Sequence, residues 1–268
     1  MILNVSKRAL TAALLMGALP TSALADGNKV LPEASEGFRF VVTPYLWMPG
    51  ISGNLDYNNV QTVHTSLNAD KILNNLSIGA MADGEIHYGR WGLMGNAMYS
   101  KLSNAGSKSY LKDQALTVDS TSDAWMGIYT VAGTYTAYSN ASVYLDALAG
   151  ARFLNSNSKV QLSASVANTS YTGNKTLYSS VSATDAIGGV KGRVRLGESR
   201  FYLPFYVDAG GGSSVAKFTS QQVLGIGYAF SAVDISLVYA NLYYSMSNDK
   251  ISSYFNMSGP ALAATFRF

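Results

Sequence analysis

The chain has 268 residues, no cysteine and only two histidines, with 19 basic residues against 16 acidic ones. Lack of cysteine excludes disulfides, thiol catalysis and cysteine metal ligation. So small a charge excess argues against nucleic acid or any other strongly charged partner. What is abundant instead is aromatic and small: 18 tyrosines, 10 phenylalanines and 25 glycines, with charged residues at 13%. Aromatic girdles at two membrane interfaces and small inward-facing positions of a barrel would use those residues.

Taken in chain order, Lys7 and Arg8 precede an apolar run from Ala9 to Leu19, and Ala23-Leu24-Ala25 supplies a small-x-small cleavage site. This pattern predicts a secretory signal peptide over 1–25, cleaved after Ala25. An N-terminal helix retained as an anchor is the alternative that the flanks disfavour. The apolar run is too short to span a bilayer, and no other segment reaches the roughly 18 apolar residues a membrane helix needs. Loss of Lys7 and Arg8 with the leader leaves the chain near neutral. A chain that is exported and membrane-bound without helices is expected to be a β-barrel, because lipid tolerates no unpaired backbone groups.

Residues 26–36 are expected as a periplasmic N-terminal segment and 37–268 as the barrel. Strands are predicted over 37–48, 76–88, 91–102, 124–137, 141–154, 181–196, 200–211, 218–230, 233–245 and 257–268. Segment 141–154 alternates cleanly: Val143, Leu145, Ala147, Ala149, Ala151 and Phe153 oppose Ser142, Tyr144, Asp146, Leu148, Gly150 and Arg152. So does 200–211, where Phe201, Leu203, Phe205 and Val207 oppose Tyr202, Pro204, Tyr206 and Asp208. In 181–196, Val190, Val194 and Leu196 stand against Asp185, Lys191, Arg193 and Arg195, whereas both faces of 124–137 are fairly apolar. A period of two places alternate side chains on opposite faces of a strand. In the last strand, Phe268, Phe266, Ala264, Leu262 and Pro260 share one face, and a terminal aromatic of this kind resembles the signal that barrel-insertion machinery reads.

Gly89-Arg90, Ser139-Asn140, Gly197-Glu198-Ser199 and Ser231-Ala232 read as tight hairpin turns. Short turns face the periplasm in outer-membrane barrels and long loops face outside. The expected outer loops are 49–75, 103–123 and 155–180, with shorter ones at 212–217 and 246–256. Loop 49–75 can pair internally around Gly53–Val63, which would raise the count from ten strands to twelve. Within it, Asn68-Ala-Asp-Lys-Ile-Leu-Asn-Asn-Leu76 reads as a short helix capped by Asn68. The predicted fold is therefore all-β: a transmembrane, antiparallel, up-and-down barrel of about ten strands, within a range of eight to twelve.

Thr43-Pro-Tyr-Leu-Trp-Met-Pro-Gly-Ile-Ser-Gly53, Gly89-Arg-Trp-Gly92, Leu145-Asp-Ala-Leu-Ala-Gly-Ala-Arg152, Asp208-Ala-Gly-Gly211 and Gly225-Ile-Gly-Tyr228 together resemble a proteobacterial family of small, mostly uncharacterised outer-membrane β-barrel proteins. The likeness runs in order across nearly the whole mature chain. It implies a fold and a location but no reaction. Members often carry an aromatic at the position of Leu154 and an arginine at that of Ala240.

If the apolar faces meet lipid, the charged residues point into the lumen. Arg39, Arg152, Lys191, Arg193, Arg195 and Arg267 then stand against Asp83, Glu85, Asp146, Asp185, Asp208 and Asp234. This balanced set suggests a salt-bridged interior, because unpaired charge in a narrow lumen is costly. A barrel near eight strands is filled by its own side chains, and ten lies near that end. A structural or passive role is the expectation, with a narrow conduit for small polar solutes as its functional form. Glu85 and His87 share a face and read as a hydrogen-bonded lumen pair rather than a proton or metal site. A metal site needs three or more convergent ligands, and no spacing in the sequence supplies them.

An alternative is a lipid hydrolase. His64-Thr65-Ser66 would put a base and a hydroxyl on one strand face. Only Asp70 lies near as an orienting acid, so a solvated loop histidine is the preferred reading. A third possibility is surface recognition through loops 49–75 and 155–180. Gly210-Gly-Gly-Ser-Ser214 lacks the Lys-Ser/Thr that cradles phosphate and reads as a flexible loop. No catalytic residue and no cofactor is expected. The expected setting is the outer membrane of a Gram-negative bacterium, as a monomer in contact with lipid and lipopolysaccharide, inserted through Phe268.

Overall fold

In the computed structural model the described residues are 30–32, 37–57, 61–110, 116–166, 172–212, 216–247 and 251–268, so the leader region 1–25 lies outside them. The elements are β1 (Phe38–Trp47), β2 (Gly50–Tyr57), β3 (Gln61–Leu67), α1 (Ala69–Asn75), β4 (Leu76–Tyr88), β5 (Trp91–Tyr110), β6 (Leu116–Ser139) and β7 (Val143–Val166). They continue with β8 (Thr172–Arg195), β9 (Phe201–Gly211), β10 (Ala216–Ala229), β11 (Asp234–Ser247) and β12 (Ile251–Arg267). Each of β4 to β12 pairs antiparallel with the next, and β1 joins β4 on one side and β12 on the other. The result is a closed ten-stranded antiparallel barrel. Reciprocal bonds between Phe40 and Phe268, at 3.0 and 2.9 Å, fasten its last strand to its first.

Alternation puts side chains where the period of two requires. On β7, Tyr144, Asp146, Leu148, Arg152 and Leu154 are buried inward, while Ala147, Ala149 and Phe153 face out. On β12, Thr265 and Ala261 are buried and Leu262 is exposed. The mixed character of β6 resolves in the same way, with Ile128, Thr130, Ala132 and Thr134 inside and Tyr129, Val131 and Tyr135 outside.

The four tight turns form one end of the barrel. Gly89 adopts φ +58°, a conformation that favours glycine, and so closes β4 onto β5. Asn140 Oδ1 accepts from Ser142 N and Val143 N at 2.8 and 2.7 Å, an Asx turn between β6 and β7. The β10–β11 turn closes through Phe230 N to Val233 O at 3.0 Å.

Three sequence expectations change at the opposite, loop end. The segments 103–123 and 155–180, expected as long loops, are mostly strand: β5 to β8 run on as a tall antiparallel wing. Hairpin β2–β3 does form, and β2 pairs the upper half of β12, so the sheet has twelve strands while the barrel keeps ten. The final strand begins at Ile251 rather than 257, because its extra residues find β2 as a partner. The short helix appears as α1, with Ile72 N bonded to Asn68 O at 3.2 Å.

The β1–β4 ladder ends at Pro44↔Ala82, while the pairing of β1 with β12 skips Thr43 and Pro44, where the ring removes an N–H donor. Above it, β4 pairs with β5 but not with β1.

Candidate functional site

The lumen holds every residue of the sequence-predicted charge network except Arg195, sorted into three groups. The first is built on Arg152, which is fully buried. It donates to both oxygens of Asp208, to Thr219 Oγ1 at 3.2 Å, to Gln221 Oε1 at 2.7 Å and to Thr130 Oγ1 at 3.4 Å. Asp208 also accepts from Tyr206 Oη and from Gln221 N. Asp185 is buried directly across the β7–β8 ladder from Arg152. A guanidinium with this many acceptors meets the condition under which a buried ion pair persists.

The second group is a clamp near the turn end. Asp234, fully buried, accepts from Arg193 at 2.6 Å and from Arg267 at 2.8 Å. The Arg193 guanidinium also lies over the Tyr202 ring, 4.6 Å from its centroid. Strands β8, β11 and β12 are thereby tied together across the interior.

The third group is acidic. Glu85 pairs with Lys191 and lies 3.1 Å from His87 Nε2. Asp146 Oδ2 approaches the same nitrogen at 4.0 Å. Asp83 accepts from Asn96 Nδ2 at 3.5 Å, and Arg39 donates to Tyr144 Oη at 2.7 Å. Arg195 is the exception among the lumen assignments. Its guanidinium bonds the carbonyls of Ser199 and Glu198, so it braces the β8–β9 turn instead of facing the lumen.

Between these groups lies a chamber of about 240 Å³. Its loop-end wall is apolar, with Trp47, Met98, Ile128, Val238 and Leu242; its turn-end wall carries Arg39, Asp83, Glu85, Lys191, Arg193 and Arg267. Trp47 is held by Nε1 donating to Gly259 O at 3.2 Å. Below the chamber, Val30 and Leu31 are buried against Tyr144, Tyr202 and Ala229. That plug, formed by the segment before β1, gave no signal in the sequence beyond two apolar residues.

No protein-family model matches the chain, and no curated protein matches it. Among solved structures, the outer-membrane protease OmpT from Escherichia coli is similar at TM-score 0.49 and 9% identity, covering 88% of this chain and 99% of that one. Ail, the attachment invasion locus protein of Yersinia pestis, has TM-score 0.31 and 11% identity, covering 87% and 100%. A FadL homologue from Pseudomonas aeruginosa has TM-score 0.31 and 7% identity, covering 85% and 90%.

The outer surface is the reverse of the lumen. Leu93, Val131, Val207, Leu224, Ile226 and Leu237 are all exposed and form an apolar band. At its turn-end margin stand Phe38, Tyr88, Trp91, Tyr135 and Phe201, with Trp91 and Tyr135 4.8 Å apart between ring centroids. At its loop-end margin stand Tyr99 with Trp125, and Tyr243 with both Phe218 and Tyr254. Exposed apolar surface on this scale needs an apolar partner.

Of the lipid-hydrolase pair, the backbone puts His64 and Ser66 together on β3, opposite Asn54 and Ser52 of β2. Ser66 is exposed, and the side chain of His64 lies outside the described residues.

Proposed function

We propose that the chain is a passive outer-membrane barrel of a Gram-negative bacterium, with its apolar band in the bilayer and its turn end in the periplasm. The observation that carries this reading is the apolar outer band bounded by two rings of aromatics, around an interior in which Arg152 pairs with Asp208, Lys191 with Glu85, and Arg193 and Arg267 with Asp234. The sequence resemblance to small outer-membrane barrel proteins supports the same location. Lipid and lipopolysaccharide are then its neighbours, Phe268 its insertion signal, and a single chain its working unit.

The chamber would admit a small amphipathic solute from the loop end rather than conduct through the barrel. The acidic group, the Asp234 clamp and the Val30–Leu31 plug stand in series between chamber and turn end. Planar-bilayer recording tests this reading. The purified barrel is expected to show no conductance of porin size, and a stable wide channel would refute it.

A second reading has one observation in its favour. Among the described residues, the upper part of β8, from Thr172 to Asp185, pairs with β7 but not with β9, which leaves that edge of the wing open. Leu177 and Tyr178 are exposed there. Such an edge can accept a strand from a partner, which would make the wing a recognition surface.

A further inference from the structure

The geometry points to a divalent-metal site inside the barrel, formed by Glu85, His87 and Asp146. One donor atom from each lies within 4.8 Å of the other two. Glu85 Oε2 and His87 Nε2 are 3.1 Å apart, and His87 Nε2 and Asp146 Oδ2 are 4.0 Å apart. A point between these three needs only a small contraction to reach the bond lengths of about 2.0–2.2 Å that zinc makes to nitrogen and oxygen.

A second observation is independent of that spacing. Asp146 is fully buried, and among the described residues neither of its carboxylate oxygens has a hydrogen-bond partner. Tyr144, two residues away on the same face, has its hydroxyl engaged by Arg39 and Thr136, with the Asp146 carboxylate close beside it. A buried carboxylate without a hydrogen bond is costly, and a cation between it and His87 removes that cost. Lys191 pairs with Oε1 of Glu85, which leaves Oε2 for the ion.

Glycine makes the convergence possible. Glu85 and His87 sit on β4 and Asp146 on β7, with β5 and β6 between them. Across that gap the ladder pairs His87 with Gly92, and Gly92 with Thr134. A Cβ at Gly92 would lie 2.6 Å from His87 Nδ1 and 2.5 Å from Thr134 Oγ1. The missing side chain is the space in which the imidazole lies.

One imidazole and two carboxylates suit a first-row divalent ion such as zinc. Glu85 lines the chamber, so the ion would keep a coordination position open to a chamber water or to a solute donor atom. The two-walled chamber and the ion would then act together on whatever small molecule enters.

The test uses the full barrel, refolded in detergent after chelator treatment and titrated with zinc against a chromophoric chelator. One zinc per chain is expected, and zinc should raise the thermal unfolding midpoint. Loss of an outer-shell partner typically costs about tenfold or more in metal affinity, so loss of a direct ligand in His87→Gln or Asp146→Asn should cost at least as much and abolish the thermal shift. Gly92→Ala, which displaces the ring without removing a ligand, should weaken binding while the barrel stays heat-modifiable. Failure of the wild type to bind stoichiometric zinc would overturn the proposal and leave His87 as a bridge between two carboxylates. Unchanged affinity in both ligand variants would overturn it equally.

Discussion

Arg152 and Asp208 face each other across one intervening strand and join through both terminal guanidinium nitrogens and both carboxylate oxygens, entirely out of solvent. Removing one partner of such a pair strands the other charge in the barrel. Asp208→Asn is therefore expected to cost about 3–5 kcal/mol. Urea unfolding of the barrel in lipid vesicles, followed by tryptophan fluorescence, would read this as a lower midpoint. A shift of less than about 1 kcal/mol, the usual size for an exposed pair, would mean the pair is solvated.

On the outer surface the opposite rule holds. Leu224 and Leu237 are 62% and 56% exposed in the middle of the apolar band. Arginine at either position should destabilise the barrel in a bilayer by about 2–4 kcal/mol. The same substitution measured in a short-chain detergent, which yields to the side chain, should cost less. Equal costs in both media would indicate that the band does not sit in hydrocarbon.

The plug supplies a third prediction. Leu31 is buried among Tyr144, Tyr202 and Ala229 at the turn end. Leu31→Asp puts an unpaired charge in that apolar contact and should release the segment. Small-ion conductance in planar bilayers is expected to rise from the wild-type level. No rise would show that the ion-pair layer alone closes the barrel.

Much of this molecule is legible in its sequence because one physical rule dominates it. Strands with one face in a packed interior and an apolar face outside must alternate, and the turns that link them need Gly, Asn or Ser. Hence β9, the turn-end halves of β7 and β12, and all four tight turns stand where the pattern puts them. The upper halves of β5 to β8 were hidden for the same reason. Segments such as Ser156-Asn157-Ser158 and Ser179-Ser180 are polar on both faces, so no period of two marks them as strand. The charged lumen residues could be read as a set, since each lies opposite an apolar face. Their grouping could not, because it depends on contacts between strands that are not neighbours in sequence. Asp146 reaches His87 across two strands and a glycine, and nothing local to either residue announces that meeting. Arg195 has the alternation of a lumen residue, but its strand ends there, within reach of the turn carbonyls.

Gly89 gives a fourth expectation, on assembly rather than on the site. Its φ of +58° carries a steric cost of roughly 1–2 kcal/mol for an ordinary L-residue. Gly89→Val should slow refolding into vesicles more than Gly84→Val, since a Cβ at Gly84 meets nothing within 4 Å. Parallel refolding rates measured by the heat-modifiable gel shift would check it, and equal rates would remove the turn from the folding argument.

The central claim is that alternate residues of each strand meet lipid and a closed interior. A chain without cysteine permits a clean test, because single cysteines can be placed one at a time. Fluorophores attached along β7 from position 144 to 154 and along β10 from 219 to 228, in vesicles containing brominated lipid, would report which positions touch acyl chains. Strong quenching is expected at outward positions such as 147, 149, 224 and 226, and weak quenching at 146, 148, 219 and 221. Uniform quenching, or the reverse alternation, would contradict the account.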